Sequence, residues 1–413
     1  MRIPARCQYT CFRILAVCLS ALILMQVYVP YAPAQAEDRP VLTVGSKGER
    51  VYEVNRRLRE LRYIKKGSIT KKYTEKTAEG VRQFQLVNGL PETGEVDEQT
   101  EKLLFSDDAL KAPWPTLPPL ATPEPVTEPD WPERDAEGFL AGSGEYVYEN
   151  EDEGQWVYLH ADLQVIIRRY RDASVPLIWF ETEILTRNGE AFRAVMTDPE
   201  HPGTRYRFPF DIARSEGFVL GFSDDFFATR IDERQTVGII IRDGKIISSK
   251  TNRKNNTHLP NLDMLAQFPD GRFEVYECTE YTAQELVDKG VVNVFSFGPI
   301  LVRDGVINET LYTHYQSVEP RQALGMIEPG HYLLVSVQGR LTNSKGTNLR
   351  RVAEIMLNHG VTQALNLDGG NTMALVFRGN MLNKKATFRK RTFIRTVTTL
   401  IGIGHTENMA EQH

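Results

Sequence analysis

Four turns in this chain end apolar runs on residue types that handle anions or protons. Asp224-Asp225 follow FVLGF, Arg321 follows Pro320, Gly339-Arg340 end YLLVSVQ, and Asn366 and Asp368 flank Leu367 before Gly369-Gly370. Arginine's planar fork matches the oxygens of a phosphate. An aspartate can activate water or attack a carbon. Two arginines and several acids on such turns suggest a pocket for an anionic ligand. In LNLDGGNTMALVF, Gly369-Gly370 permit positive φ and a close approach of backbone N–H groups to a ligand oxygen. The same dipeptide suits a plain tight hairpin, which on composition alone is the simpler reading.

Sheet has to position these turns. LIWFETEIL alternates, VGIIIRDGKIIS reads as a hairpin turned at Asp243-Gly244, FSFGPILVRDGVI as another turned at Asp304-Gly305, and GHYLLVSVQGR as a buried strand. FEVYECTEY reads as an alternating strand holding Cys278 as a small buried side chain. Helices are expected over Thr282–Lys289 and over Thr347–Asn358, where Leu349, Val352, Ala353 and Met356 share a face and Gly360 is the stop. Residues 145–405 therefore predict a single α+β domain built on a large mixed sheet. Ahead of it, residues 42–106 predict a small three-helix bundle. Val51, Val54, Leu58 and Leu61 share one helical face, Ala78, Val81, Phe84 and Gln85 another, and Asp97 is the expected N-cap of a third helix.

Composition narrows the setting. The 413 residues carry a formal charge of −5, with 25% charged and 41% apolar side chains. So small a net charge, without an arginine-aromatic stripe, argues against nucleic acid as a partner. The basic patch Lys384 to Arg391 reads as a solvated loop. At the N-terminus, Arg2, Arg6 and Arg13 precede an apolar run from Ile14 to Val29, and Ala34-Gln35-Ala36 completes an export signal over residues 1–36. No membrane partner is expected beyond that segment, and the protein is expected to be secreted, wall-associated or periplasmic. Cys7, Cys11 and Cys18 lie within it, which leaves Cys278 alone after cleavage, with no internal disulfide possible. Residues 107–143, rich in proline, read as an extended linker. Asp224, Asp225 and Asp368 offer hard oxygen atoms, but no EF-hand spacing or His/Cys cluster accompanies them; no metal and no cofactor are expected.

Two resemblances sharpen this picture. Gly45-Ser46-Lys47-Gly48, Leu58, Thr77, Val81-Arg82-Gln83-Phe84-Gln85, Asn88-Gly89-Leu90, Gly94 and Thr100 resemble the peptidoglycan-binding domain type 1 family, with Arg62 standing where a glycine is usual. That resemblance implies peptidoglycan or a wall glycan as partner of residues 42–106. The stretch ALNLDGGNTMALVFRGNMLN is similar to the signature of the phosphodiester glycosidase family. VLGFSDDFF stands where that family has AINGDYY, VFSFGPILVRDG matches FSFGPxLVxDG, and PRQALGMIEPGHYLLVSVQGR matches its PRTAIG, GHY and VDGR elements.

The second resemblance implies hydrolysis of a sugar linked through C1 to a phosphodiester, releasing free sugar and a phosphomonoester. Its implied site has Asp368 as the essential carboxylate or sugar-orienting group and Asp225 as the second acid. Arg321 and Arg340 bind phosphate, Gly369, Gly370 and Thr372 line the sugar pocket, Asn366 orients Asp368, and His331 comes with the GHY element. The chain departs from the family's pattern at Ser223-Asp224, Gln338, Glu319 and in NTMAL. Those departures keep an alternative open: a non-catalytic wall-glycan-binding or assembly protein that retains the pocket.

Overall fold

The computed structural model describes residues 39–65, 69–114, 117–120, 130–187, 191–250 and 262–410. The expected export segment, its three cysteines and the middle of the Pro-rich stretch lie outside them. The chain divides into two compact units, Met1–Pro115 and Thr116–His413. Among the described residues no helix is long and apolar enough to cross a membrane.

The smaller unit is a bundle of helices Glu49–Glu60, Glu75–Val87 and Glu98–Leu104. Local chemistry starts each one. Thr74 and Thr77 form a reciprocal capping box, and the Asp97 carboxylate accepts the Thr100 N–H at 2.7 Å. Val51, Val54, Leu58, Leu61, Ala78, Val81 and Phe84 make the core, each buried side chain stabilising by about 1.5–3 kcal/mol if large. Gln85 is buried with them because its amide reaches Thr93, Glu95 and Thr100. Arg62 adopts φ 72°, which explains why glycine is the easier residue there. Its guanidinium lies 4.1 Å above the Trp114 ring and donates to the Ala112 carbonyl.

In the larger unit three sheets close around one core. The first has nine strands in the order Tyr146–Asn150, Gln155–Leu159, Leu163–Asp172, Leu177–Thr186, His331–Val337, Arg321–Glu328, Gln363–Leu367, Ile300–Arg303 and Val306–Ile307. A five-stranded sheet contains Asn293–Phe297, Gly238–Arg242 and Asp263–Gln267; another contains Leu220–Phe222, Leu375–Phe377 and Thr399–Ile403. Phe180, Leu324 and Leu365 from the first meet Leu265 and Phe295 from the second and Phe222, Phe377 and Ile401 from the third. Helix Leu349–Asn358 covers the other face of the nine-stranded sheet with Leu349, Val352, Ala353 and Met356.

The α+β class stands, but the sheet is not mixed: the pairings of its named strands are all antiparallel. Tight turns such as Asp304-Gly305 force antiparallel neighbours, and no long crossover is spent on a parallel pair. Cys278 is buried, yet it lies in a turn just beyond the strand Phe273–Tyr276 rather than within it. The end of the Pro-rich stretch is folded, not extended. Phe139 is buried, Leu140 donates its N–H to the His160 carbonyl, and Asp135 pairs with Arg187.

Candidate active site

Strands from all three sheets end at one place. Leu220–Phe222 runs into Ser223-Asp224-Asp225, Gln363–Leu367 into Asp368, and Asn293–Phe297 into Gly298. Asp368 donates its N–H to the Asp224 carbonyl at 3.0 Å, and Gly298 donates to the Asn366 carbonyl at 3.0 Å. Ser296 donates its N–H to Asp225 Oδ2 at 3.1 Å. These cross-links gather three aspartates whose turns are 143 residues apart in sequence, counted from Asp225 to Asp368 (368 − 225).

The three acids are not equivalent. Asp225 is fully buried and committed: Oδ2 takes Arg242 Nη2 at 2.8 Å as well as the Ser296 N–H, and Oδ1 faces the Phe227 N–H. Asp224 accepts the Phe226 N–H on Oδ1 at 2.7 Å but leaves Oδ2 buried without a protein partner. Asp368 Oδ2 is in the same condition. Arg230, 1% exposed, donates Nη2 to the Asp225 and Ser296 carbonyls while Nε and Nη1 have no protein partner. Buried polar atoms left without a protein partner cost about 1–3 kcal/mol each, so such a concentration calls for a ligand or water to complete it.

Electrostatics separate the acids further. Burial pushes Asp368 up to about 6, against the lowering effects of the Thr372 hydroxyl, Arg395, Arg230 and the Gly369 N–H. Burial raises Asp224 well above the usual carboxylate range, and the charges of Asp225 and Asp368 add to it. Burial thus holds both carboxyls toward the protonated form, and the neighbouring aspartates add to this at Asp224.

The expected phosphate-binding arginines already hold protein partners. Arg321 donates Nε to the Thr347 carbonyl and Nη2 to Ser317, and burial lowers it to about 10. Arg340 gives Nε to Glu319 at 2.7 Å and Nη1 to Asn371. The Arg340 guanidinium lies against Gly370, 3.6 Å from where a Cβ would stand. Gly370 donates its N–H to the Pro320 carbonyl, and a Cβ on Gly369 would lie 2.5 Å from that oxygen. The turn is no hairpin either, because the strands on its two sides, Gln363–Leu367 and Leu375–Phe377, belong to different sheets.

The remaining expectations divide. Thr372 is in the cluster: its hydroxyl is bonded to Asp368 and receives Arg395 Nη1 at 3.2 Å. Asn366 is there too but does not orient Asp368; its amide donates to the Gly298 carbonyl at 2.9 Å and Oδ1 is left without a protein partner. His331 is not part of the site. It opens a strand whose other end, Val337, is opposite Arg321, so six residues of extended chain, roughly 20 Å, intervene. Its ring bonds Glu183 at 2.8 Å instead.

Three arginines of the cluster escaped the sequence reading. Arg230 lies on the short helix Phe227–Asp232, Arg242 ends the strand Gly238–Arg242, and Arg395 precedes the strand Thr399–Ile403. Arg242 next to Asp243-Gly244 was the one with a visible signal, a charge closing an otherwise apolar strand. Arg395 is exposed, and its guanidinium lies 6.0 Å from the centre of the Phe226 ring. It is the cation at the cluster that solvent reaches.

Comparison with known proteins follows the same division of the chain. The family model described as phosphodiester glycosidase matches residues 216–404, and that of a peptidoglycan binding domain matches residues 47–104. Residues 216–404 are therefore similar in sequence to phosphodiester glycosidases. An SPbeta prophage-derived protein of Bacillus subtilis (strain 168), YomE, is 31% identical over 134 residues, covering 32% of this chain and 21% of that protein. The N-acetylglucosamine-1-phosphodiester alpha-N-acetylglucosaminidase of Bos taurus is 26% identical over 219 residues, covering 48% of this chain and 39% of the bovine protein. The chain thus spans well under half the length of either relative. The solved catalytic domain of the zebrafish enzyme of that name, auto-inhibited by its pro-peptide, aligns at TM-score 0.46 and 20% identity over 60% of this chain and 83% of that one.

Within the matched residues 216–404, most departures from the family pattern have structural employment. Ser223 Oγ donates to the Thr372 carbonyl and accepts the Ala374 N–H. Gln338 accepts the Lys384 N–H at 2.8 Å, Glu319 holds Arg340, and the Asn371 amide donates to the Ala386 and Phe393 carbonyls. Asp224 differs from these. It stands where the pattern has glycine, and it brings a carboxyl oxygen that no protein group uses.

Proposed function

We propose that this protein is an exported, wall-associated hydrolase that cleaves a sugar-1-phosphodiester bond to free sugar and a phosphomonoester. One observation carries the reading: Asp224 Oδ2, Asp368 Oδ2 and two guanidinium nitrogens of Arg230 lie buried without protein partners where three sheets end, under an exposed Arg395. The family match supports the reaction class, and the peptidoglycan-binding domain supports a place in the wall.

Leaving-group chemistry favours such a site. A sugar hydroxyl leaves poorly without a proton from a strong general acid. A phosphomonoester leaves far more readily, since its second pKa is about 6. In the proposed step, ionised Asp368 takes a proton from water as the water oxygen bonds to C1. The bond from C1 to the phosphate oxygen breaks, and its electron pair departs with the phosphate. Arg395 stabilises the charge that develops there, and protonated Asp224 is placed to supply a proton to the leaving oxygen. The Asp225 carboxylate serves as the anchor that fixes Arg242, rather than as the second acid, while its main-chain carbonyl receives Arg230. Arg321 and Arg340 hold the Gly369-Gly370 turn in place.

The reading is tested by measuring sugar release from a glycosyl phosphodiester with wild type, Asp368→Asn and Asp224→Asn. Loss of about 10²–10⁴-fold in turnover is expected for Asp368→Asn, with a smaller loss for Asp224→Asn. Undiminished turnover in the Asp368 variant removes it from the mechanism. Saturable binding of wall glycans by wild type with no product from any phosphodiester would replace the enzyme by a binding protein.

A further inference from the structure

Beside the aspartate cluster, strands Ala386–Phe388 and Arg391–Phe393 form a hairpin dense in cations. Lys384, Lys385, Arg389, Lys390 and Arg391 are all exposed. The hairpin is held in place, unlike a loosely solvated loop. Asn371 donates to the Ala386 carbonyl at 2.8 Å and to the Phe393 carbonyl at 3.3 Å, the Lys384 N–H is bound by Gln338, and the Thr387 N–H reaches the Arg340 carbonyl. Phe388 stands 39% exposed at its surface, with the Arg340 and Arg389 guanidinium groups 5.1 and 5.3 Å from its ring. Like charges fixed this closely repel one another unless an anion joins them.

The base of the hairpin borders a cavity of about 770 Å³, lined in part by Glu149, Trp156, Phe210, Asn380, Lys384 and Lys385. That volume is within the range of small-molecule sites. Of its acidic neighbours, Glu149 is neutralised by Arg378 at 2.8 Å, while Glu151 lines the wall as well. Arg214 in the same wall is held by the Asn380 side chain and the Ala410 carbonyl but leaves Nε without a protein partner, so it adds a third cation to the two lysines. Ile394 lines the cavity too, and the next residue, Arg395, reaches into the aspartate cluster through Thr372. Asn383 is shared in the same way: it lines the cavity, and its side chain holds the Leu375 N–H and the Met373 carbonyl just past Thr372. Cavity and cluster are therefore two sides of one wall.

We propose that the cavity and the basic hairpin are a second binding region, built for a polymer of sugars joined by phosphodiesters. The cavity takes a sugar away from the scissile bond, and Lys384, Lys385 and the hairpin tip take the phosphates that flank it. The proposal rests on the phosphodiester reading of the aspartate cluster, and it adds that the substrate is a chain rather than a single glycosyl phosphate.

The test compares full-length wild type with Lys384→Ala/Lys385→Ala and, separately, Arg389→Ala/Lys390→Ala/Arg391→Ala. The probes are a synthetic oligomer of sugar-1-phosphate repeats, the corresponding single-unit phosphodiester, and an uncharged oligosaccharide of equal length. Each variant is expected to lose about tenfold or more in affinity for the charged oligomer, with a weaker salt dependence, and to keep single-unit turnover. Unchanged affinity of both variants for the oligomer overturns the proposal, as does an equal loss for the uncharged oligosaccharide. Because the substituted side chains make none of the anchoring hydrogen bonds, two variants at separate places guard against a folding artefact in either. If wild type turns over neither phosphodiester while oligomer binding still depends on these cations, the catalytic reading falls and the second binding region stands.

Discussion

Arg321 and Arg340 lie beside the Gly369-Gly370 turn, whereas Arg230 and Arg395 belong to the aspartate cluster. The first pair donates to Ser317, Thr347, Glu319 and Asn371, which ties loops together. Of the second pair, Arg230 keeps two nitrogens without protein partners, and Arg395 is exposed above Asp368 and Thr372. Residue type marks where charge is; partner accounting decides which charge is available to a ligand. The aspartates divide by the same rule, with Asp225 saturated and Asp224 and Asp368 each left with a free oxygen.

The comparison breaks most visibly at Asp225. Replacing it by alanine leaves Arg242 buried without its carboxylate, and a loss of about 3–5 kcal/mol in unfolding free energy is expected by denaturant titration. A loss below about 1 kcal/mol would mean that Asp225 is not the anchor. Next in size, Arg395→Ala is expected to lower turnover of a glycosyl phosphodiester about a hundredfold with little change in melting temperature. Arg340→Ala should do the reverse. Equal kinetic losses for the two arginines would erase the distinction between the two pairs.

Asp368 sharpens the comparison through pH. Its native value of about 6 lies above the ~3.9 of an unfolded aspartate, so the native state holds the proton more tightly. The carboxyl costs the fold nothing below pH ~4, progressively more between ~4 and ~6, and about 2–3 kcal/mol above that. Asp368→Asn should therefore raise the melting temperature at pH 8 and leave it nearly unchanged at pH 4. A gain of the same size at both would show that burial does not strain this group. The smallest effect is expected at His331, whose partly exposed pair with Glu183 is worth about 0.5–1 kcal/mol. His331→Ala should change turnover by less than about twofold, checked with the same sugar-release assay.

Much of the local structure was legible. The helix starts at Asp97 and Thr282, the Asp243-Gly244 and Asp304-Gly305 turns, and the apolar face of Leu349–Asn358 all appear where the sequence put them. Their causes are short-range: a cap or a turn depends on residues three or four positions apart, and a helical face on spacing. Asp368, Gly369, Gly370 and Thr372 were likewise visible as a polar break between two apolar runs.

Three further matters were decided only by tertiary structure. Whether Gly369-Gly370 closed a hairpin or passed the chain from one sheet to another depended on which strands its flanks joined. Which aspartate kept a free oxygen depended on Arg242 and Ser296, contributed by a different sheet. Which arginine faced the acids depended on Arg230 and Arg395, separated by 165 residues (395 − 230) and carrying no mark in their own neighbourhoods. The sequence by itself determined elements and the stock of charged groups, since those follow from neighbours along the chain. Hydrogen-bond saturation is a property of neighbours in space, and only the packing of three sheets around one core could assign it.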